Sequence, residues 1–243
     1  MSFDSVQIKN SAGPLEIRSD SAITLKGNSL EGDSVFVNSG GQLILSGSDS
    51  GIRANNNISL DSADGMQVGG VSLSVSSEIG ELNLVNTKGM LTVNNGASLS
   101  ASFIGINSRD GVLIDSANFS GTQLDVTAGS LAGQVATVRN LNLAAFSLVN
   151  IAARTVDLIN VAFPAGSSVN LKSFNHQLAP NPNTGAASQP GFVNFISGVT
   201  YGGQPAQDFV GNGITISGLN GSSLRSLHKK QNLVGNGVNS ARR

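Results

Sequence analysis

The sequence predicts an all-β fold, a right-handed parallel β-helix (β-solenoid) in which three short strands form each coil of about 25 residues. Two observations support this prediction. Short apolar triplets recur every eight or nine residues, and glycine, asparagine, aspartate or serine occupies nearly every gap between them. Leu73, Leu82, Leu91 and Leu99 mark this period, at steps of nine, nine and eight residues. A fixed period of structural units is typical of repeat architectures.

Each triplet has the side-chain pattern of a β-strand. Two apolar side chains point to one face and the middle side chain points to the other, which is the two-residue period of a strand. Middle residues such as Glu16, Thr24, Asn83 and Asp125 are polar, so we expect them to face solvent. Glycine, serine and asparagine recur too often for helix interiors.

The strands are predicted to pair in parallel between successive coils. Leu73 to Leu99 spans 26 positions and Leu99 to Leu124 spans 25, which leaves room for three strands and their turns in each coil. Turn dipeptides that would close antiparallel hairpins are scarce, and Asn95-Gly96 is a good candidate among the few. Residues 1–171 are therefore predicted to form a solenoid of about six or seven coils.

A C-terminal cap is predicted for residues 172–219. Five of the six prolines fall between positions 164 and 205, and five of the eleven aromatic residues fall between positions 174 and 209. Residues 178–185 are predicted to be a loop, while 191–196 and 199–201 are predicted to be short strands. Because the end of a solenoid exposes strand edges and core, a cluster of aromatic residues there is expected to cover it.

Residues 220–243 are predicted to form a basic, flexible tail. The first 208 residues hold 15 acidic and 9 basic side chains, a net charge of −6, whereas the remainder carries +5. Two interpretations stay open. The tail is either a solvated segment, or it docks on an acidic surface such as the body of a neighbouring copy.

Composition excludes several kinds of chemistry. The chain has no cysteine, which rules out disulfides, thiolate catalysis and cysteine-ligated zinc. The segment Met1–Ser5 lacks the basic and apolar regions of a signal peptide, and no stretch approaches the ~18 apolar residues of a membrane span. The body also lacks the basic density with interleaved aromatic residues that is typical of nucleic-acid binding. We therefore expect neither nucleic-acid binding nor membrane insertion.

No metal or cofactor site is predicted. The two histidines, His176 and His228, lie 52 positions apart in loop-like sequence. The segment Asp61–Gly65 lacks the alternating oxygen ligands and the distal glutamate of a calcium loop. Phosphate-binding glycine motifs are also missing, because the Gly-Gly pairs lie between strands rather than before a helix.

No catalytic residues are predicted either. Polysaccharide cleavage, the main enzymatic alternative, needs clustered carboxylates, or a calcium ion with a basic residue. Groups on one face should repeat at the coil spacing, and the candidate residues form no stack under that rule. They are Asp61, Asp64, Arg109, Asp110, Asp115 and Asp157. Arg109, Asp110 and Asp115 come nearest to a cluster, and Asp110-Gly111 is better explained as a turn.

The triplet pattern carries a family resemblance. Gly41-Gln42-Leu43-Ile44-Leu45-Ser46-Gly47 and Asn57-Ile58-Ser59-Leu60 resemble the β-helical shafts of large secreted bacterial proteins, the filamentous-haemagglutinin-type and autotransporter-type adhesins. This resemblance covers residues 1–171. The segments 190–196 and 201–210 are similar to a C-terminal module of bacterial β-helix proteins whose function is uncharacterised. The resemblance implies an extracellular shaft or adhesive surface and transfers no catalytic residue.

The sequence therefore predicts a non-enzymatic structural or adhesive module, extracellular or at the cell surface. Polysaccharide or cell-surface glycan binding along the polar face, with Asn55-Asn56-Asn57 as a candidate site, is the expected activity. The alternative is a carbohydrate-active enzyme, a polysaccharide lyase or hydrolase on the same scaffold. End-to-end association of copies into fibres is also expected, because the strands begin at Val6 with no N-terminal counterpart of the cap.

Overall fold

The computed structural model describes residues 1–129, 134–174 and 191–217, together with the backbone of residues 176, 177, 188 and 189. Strands make up 65% of the structure and helical residues 2%, so the fold is all-β. The strands of the first half are β1 (Ser2–Asp4), β2 (Gln7–Lys9), β3 (Leu15–Ser19), β4 (Ile23–Lys26), β5 (Ser29–Ser39), β6 (Leu43–Ser46), β7 (Gly51–Ser62), β8 (Met66–Gly69), β9 (Ser72–Val75), β10 (Glu81–Asn86), β11 (Met90–Asn94), β12 (Ser98–Ser100) and β13 (Phe103–Ser108). Those of the second half are β14 (Gly111–Asp115), β15 (Asn118–Ser120), β16 (Gln123–Ala128), β17 (Val135–Asn142), β18 (Leu148–Ala153), β19 (Thr155–Phe163), β20 (Ser168–Ser173), β21 (His176–Gln177), β22 (Ser188–Gln189), β23 (Phe192–Ser197), β24 (Thr200–Tyr201), β25 (Gln204–Pro205) and β26 (Ile214–Ser217). A short 3₁₀ helix spans Ala206–Phe209.

The strands form a parallel β-solenoid of about eight turns, which confirms the predicted fold class. Each early coil visits three stacks of strands in turn. Stack 1 contains β1, β4, β6, β8, β11, β14, β17, β19 and β23. Stack 2 contains β2, the first halves of β5 and β7, and then β9, β12 and β15. Stack 3 contains β3, the second halves of β5 and β7, and then β10, β13, β16, β18, β20 and β26.

Most coils are shorter than the predicted 25 residues. Ile23 lies opposite Leu43, a step of twenty residues, whereas Met66 lies one coil from Leu91, a step of twenty-five. The sequence estimate failed because Leu99 and Leu124 belong to different stacks. Leu99 pairs with Phe119 in stack 2, while Leu124 pairs with Ile104 in stack 3. Shorter coils give about eight turns instead of the predicted six or seven.

The core is a set of aliphatic ladders that run along the solenoid. In stack 3, Leu60, Leu84, Ile106 and Val126 follow one another in register, and each is at most 1% exposed. Burying an aliphatic side chain of this size contributes about 1.5–3 kcal/mol relative to leaving it in water. Because each ladder packs only on its neighbours, stability accumulates coil by coil.

The turn from stack 1 to stack 2, which we call the left-handed corner, has the same backbone conformation in every coil. One residue per coil occupies it with positive φ, and these residues are aligned from coil to coil. They are Ser5, Gly27, Gly47, Gly70, Asn95, Ser116, Asn140, Asn160 and Gly198, with φ between 52° and 102°. Only glycine adopts this region freely, and asparagine tolerates it better than most residues. This explains why glycine and asparagine recur in the sequence at the turns between strands.

The turn from stack 3 to stack 1, which we call the polar corner, buries a ladder of small polar side chains. Ser39, Ser62, Asn86 and Ser108 lie in register and point inward, each at most 3% exposed. Ser62 Oγ lies 2.9 Å from the Gly41 carbonyl oxygen and 2.6 Å from the Gly65 carbonyl oxygen, and its single O–H donates to this pair of acceptors. Since buried polar groups are costly unless they are hydrogen-bonded, the ladder stabilises the turn only while these partners remain in place.

The C-terminal segment adds a further layer of strands to the solenoid. β23 pairs with β19 and β26 pairs with β20, both in parallel. The chain then reverses, and β25 pairs with β24 in antiparallel orientation. The Tyr201 hydroxyl donates to the Ser167 carbonyl oxygen at 2.8 Å. The Tyr201 and Phe209 rings lie 4.8 Å apart between centroids. The two short strands expected at 191–196 and 199–201 are therefore present, whereas the loop expected at 178–185 and the tail at 220–243 lie outside the described residues.

The first coil is less buried than the coils that follow. Phe3, Ile8 and Leu15 pack against the core but are only half-buried, whereas their counterparts one coil later are at most 2% exposed. Among the described residues, β1, β2 and β3 each pair with a parallel strand on one side only.

Candidate functional site

The turn from stack 2 to stack 3, which we call the loop corner, varies in length. Residues 10–14 form a five-residue connection in the first coil, and residues 76–80 form another in the fourth. Between them, one residue in the second coil and two in the third separate the paired halves of β5 and β7. The two longer loops therefore project on either side of two short turns.

A groove with a volume of about 310 Å³ lies between these two loops. Asn10 and Ser11 line one wall, and Ser76 lines the other. Gly32 and Ala54 form the floor, on strands β5 and β7. Because neighbouring strands lie about 4.8 Å apart, two coils give a floor roughly 10 Å wide. The groove is therefore wide enough for one extended chain.

The floor is held close to the neighbouring coil. A Cβ atom on Gly32 would lie 3.1 Å from the Ser34 carbonyl oxygen and 3.2 Å from the Leu15 Cβ atom. The ladder is also irregular here, with a register shift between Gly32 and Ser34. A larger residue at position 32 would have to push these neighbours apart, so a substitution there would disturb the packing beneath the groove.

Four charged side chains line the groove. Lys9 and Glu31 form an ion pair at 2.6 Å, and Asp33 accepts a hydrogen bond from Asn56 Nδ2 at 3.0 Å. Arg53 lies in register with Glu31, one coil further along, and its side chain is exposed. Among the described residues, the structure gives no ion pair or side-chain hydrogen bond for Arg53. Counted over the described residues, two positive and two negative charges make the groove neutral.

The asparagine run singled out in the sequence lies at this groove. Asn55 lines it, and its Oδ1 atom accepts a long hydrogen bond from the Ser76 hydroxyl at 3.4 Å. Asn56 points to Asp33, and Asn57 starts the stack 3 half of β7 opposite Ser34. The run thus contributes to one wall and to the floor.

The acidic residues considered for catalysis lie apart. Asp110 and Asp115 flank β14 at its two ends, where Asp110 accepts from the Gly89 amide at 2.7 Å. Asp157 accepts from Asn194 Nδ2 at 2.8 Å, and Asp61 accepts from the Ser59 hydroxyl at 3.1 Å. Each carboxylate therefore bonds to neighbours on its own strand or on an adjacent coil.

Asp115 belongs to a structural network at the left-handed corner. Arg139 Nη2 lies 2.8 Å from Asp115 Oδ2, and Asn140 Nδ2 donates to Asp115 Oδ1 at 2.8 Å. Asn160 Nδ2 continues the ladder by donating to Asn140 Oδ1 at 3.1 Å. The hydrogen bond from Arg139 holds the pKa of the Asp115 carboxyl below its ordinary value of 3.8, with smaller contributions from Asn140 and Ser116.

A second, more open depression lies where β8 and β11 of stack 1 begin, with a volume of about 560 Å³. Gln42, Gln67 and Thr92 supply amide and hydroxyl groups, and the Met90 side chain is 52% exposed. Among the described residues, Asp64 is the one charged residue that lines it. This depression offers fewer charged groups than the groove at the loop corner.

Within the described ranges, no group of three or more histidine and acidic side chains is placed to hold a metal ion. The side chain of His176 and the whole of His228 lie outside the described residues. No helix in the described part of the chain is long and apolar enough to cross a bilayer.

Sequence reasoning missed the charged residues of the groove. Lys9, Glu31 and Arg53 recur at steps of twenty-two residues, which is the coil length in this part of the solenoid. The assumed spacing of 25 residues hid this alignment. A search for charged residues at every period from twenty to twenty-five would have found it.

Comparison with known proteins gave no match to the chain among protein families, curated proteins or solved structures.

Proposed function

We propose that this chain is a non-enzymatic structural and adhesive surface module that binds polysaccharide in the groove at the loop corner. The observation that carries the proposal is the placement of this groove. It is bounded by two loops on an otherwise continuous stack of strands, and its walls carry hydroxyl and amide groups.

The lining favours a carbohydrate. Asn10, Ser11, Asn55, Ser74 and Ser76 offer both donors and acceptors, which match the hydroxyl groups of a sugar chain. The floor consists of strand backbone, which keeps these groups at fixed positions and lowers the entropy lost on binding. The width of the floor suits a single polysaccharide chain.

The solenoid supports the structural part of the proposal. About eight coils, stacked at about 4.8 Å, give a shaft roughly 40 Å long. Outward-facing ladders such as Asp125, Asn150 and Asn170 tie successive coils together, with hydrogen bonds of 2.6 and 2.8 Å. These features suit a rigid spacer of the kind found in the shafts of secreted bacterial adhesins, and we propose an extracellular or cell-surface location.

A glycan array combined with a product assay tests the proposal. We expect binding to at least one polysaccharide and no change in chain length after long incubation. Turnover would contradict the proposal and favour the alternative, a polysaccharide lyase or hydrolase on the same scaffold. Absence of binding to every glycan would contradict the adhesive part.

A pair of variants ties binding to the groove. Asn55→Ala removes a wall amide, so we expect affinity to fall about three- to tenfold, the equivalent of one hydrogen bond. Asn118→Ala is the matched control, because Asn118 is also exposed but lies on β15, outside the groove. Equal affinity of the two variants would place the binding surface elsewhere.

A further inference from the structure

We infer that the groove selects a polysaccharide with widely spaced carboxylates, and that Arg53 binds one carboxylate of that chain. This inference rests on the proposed function, since it names the class of glycan that the same groove takes. It adds that the ligand is negatively charged and that Arg53 is the residue that binds this charge.

Arg53 is the cation left open in the groove. Lys9, the other cation, is held by Glu31 at 2.6 Å. Asp33, the other anion, already accepts from Asn56 at 3.0 Å. The guanidinium of Arg53 makes no ion pair or hydrogen bond with the described residues and is exposed above a floor of small residues. A ligand that enters the groove therefore meets a free guanidinium.

A carboxylate is the ligand group that fits this guanidinium best. Arginine presents parallel N–H donors that match the two oxygens of a carboxylate, and such charge-assisted bonds are stronger than neutral ones. The surrounding amide and hydroxyl groups of Asn55 and Ser74 can bond the sugar hydroxyls on either side. Uronate units combine both kinds of group.

A negative charge in the groove limits how many carboxylates the chain can carry. Asp33 lies one coil from Arg53 at the same corner and pairs with no cation among the described residues, whereas Glu31 is paired with Lys9. A chain with a carboxylate on every sugar would bring a like charge against Asp33, which disfavours binding. A chain with one uronate among several neutral sugars avoids this repulsion.

Calorimetry with three glycan probes and the full chain tests the inference. The probes are gellan fragments, which carry one glucuronate in each repeat, the same fragments after chemical reduction of the carboxyl group, and polygalacturonate fragments of similar length. We expect gellan to bind about ten- to a hundredfold more tightly than its reduced form, the range of a charge-assisted hydrogen bond. We also expect gellan to bind more tightly than polygalacturonate.

Variants connect this preference to Arg53. Arg53→Gln should remove the preference for native over reduced gellan, while Arg53→Lys should keep part of it because the charge remains. Lys88→Gln is the matched control, since it removes one exposed positive charge that does not line the groove. Its preference should equal that of the unmodified protein, and circular dichroism should show that all three variants are folded.

The outcomes separate the inference from the proposed function. Equal binding of native and reduced gellan, unchanged by Arg53→Gln, would overturn the inference and leave the polysaccharide-binding groove standing. Tighter binding of polygalacturonate than of gellan would also overturn it, because Asp33 would then fail to exclude a dense polyanion. Loss of binding to every probe and to the whole glycan array would overturn both.

Discussion

Replacing Asn86 by alanine should destabilise the solenoid by about 3 kcal/mol. Asn86 is 2% exposed, and its side chain makes three hydrogen bonds at the polar corner. Its Oδ1 atom accepts from the Gly65 amide at 2.9 Å, and its Nδ2 atom donates to the Gly89 carbonyl at 2.8 Å and to the Ser108 hydroxyl at 3.2 Å. Each bond contributes about 1 kcal/mol net, and the three belong to one side chain.

The partners of Asn86 keep other bonds, which limits the expected loss. The Gly65 amide also lies 2.6 Å from the Lys88 carbonyl oxygen, and the Ser108 hydroxyl also donates to Gly89 at 3.2 Å. These backbone groups therefore keep a partner in the variant. The loss in free energy of unfolding should stay close to the summed contribution of the three hydrogen bonds.

Guanidinium unfolding followed by circular dichroism measures this effect. Asn83→Ala is the matched control on the same strand, because Asn83 faces outward and bonds only to Glu81, at 3.2 Å. We expect the control to change stability by less than about 0.5 kcal/mol, as surface substitutions usually do. The comparison requires an unchanged denaturant slope, since repeat proteins can lose cooperativity. Equal midpoints for the two variants would refute the assignment of buried bonds to the polar corner.

Four further predictions follow from the fold. Leu84→Asp should cost about 3–5 kcal/mol in the same assay, because it places an unpaired charge at a position with 0% exposure, and a near-native midpoint would contradict the core assignment. Gly70→Val should cost about 1–2 kcal/mol and Gly70→Asn less, since φ at this position is 67° and asparagine tolerates it, so equal costs would argue against backbone strain. The pKa of Asp115 is lower in the folded protein, so its ionised carboxylate stabilises the fold above the unfolded pKa, and this stabilisation is lost as pH falls through the folded pKa. Asp115→Asn should therefore reduce the fall in melting temperature below about pH 4. We also expect light scattering at low salt to reveal end-to-end association that salt or deletion of residues 225–243 weakens, and a monodisperse monomer at high concentration would exclude it.

The fold was predictable from the sequence because the strand pattern is local. Alternation of apolar and polar residues, as in Leu82-Asn83-Leu84, specifies a strand without knowledge of its partner. The coil length was not predictable in the same way, because identical triplets occur in all three stacks. Leu124 therefore looked like the next repeat of Leu99, although it pairs with Ile104.

The candidate site was predictable only in part. Asn55 stood out because three asparagines in a row are unusual between strands. Arg53 and Glu31 did not, since a single charged residue outside a triplet is ordinary on a solvent-facing strand. Their meaning depends on the alignment of coils and on the two longer loops that flank them, both of which are properties of the stacked structure.

The left-handed corner has a consequence for how the sequence of this chain can evolve. Since each coil passes through the same backbone conformation at this corner, the alignment is restored once per turn, and an added or deleted residue alters one coil without displacing the next. The intervals between successive corner residues already differ, from twenty residues between Asn140 and Asn160 to thirty-eight between Asn160 and Gly198, and the stack still continues. Loops can therefore lengthen or shorten coil by coil, so new surfaces can arise on this scaffold while its core stays the same.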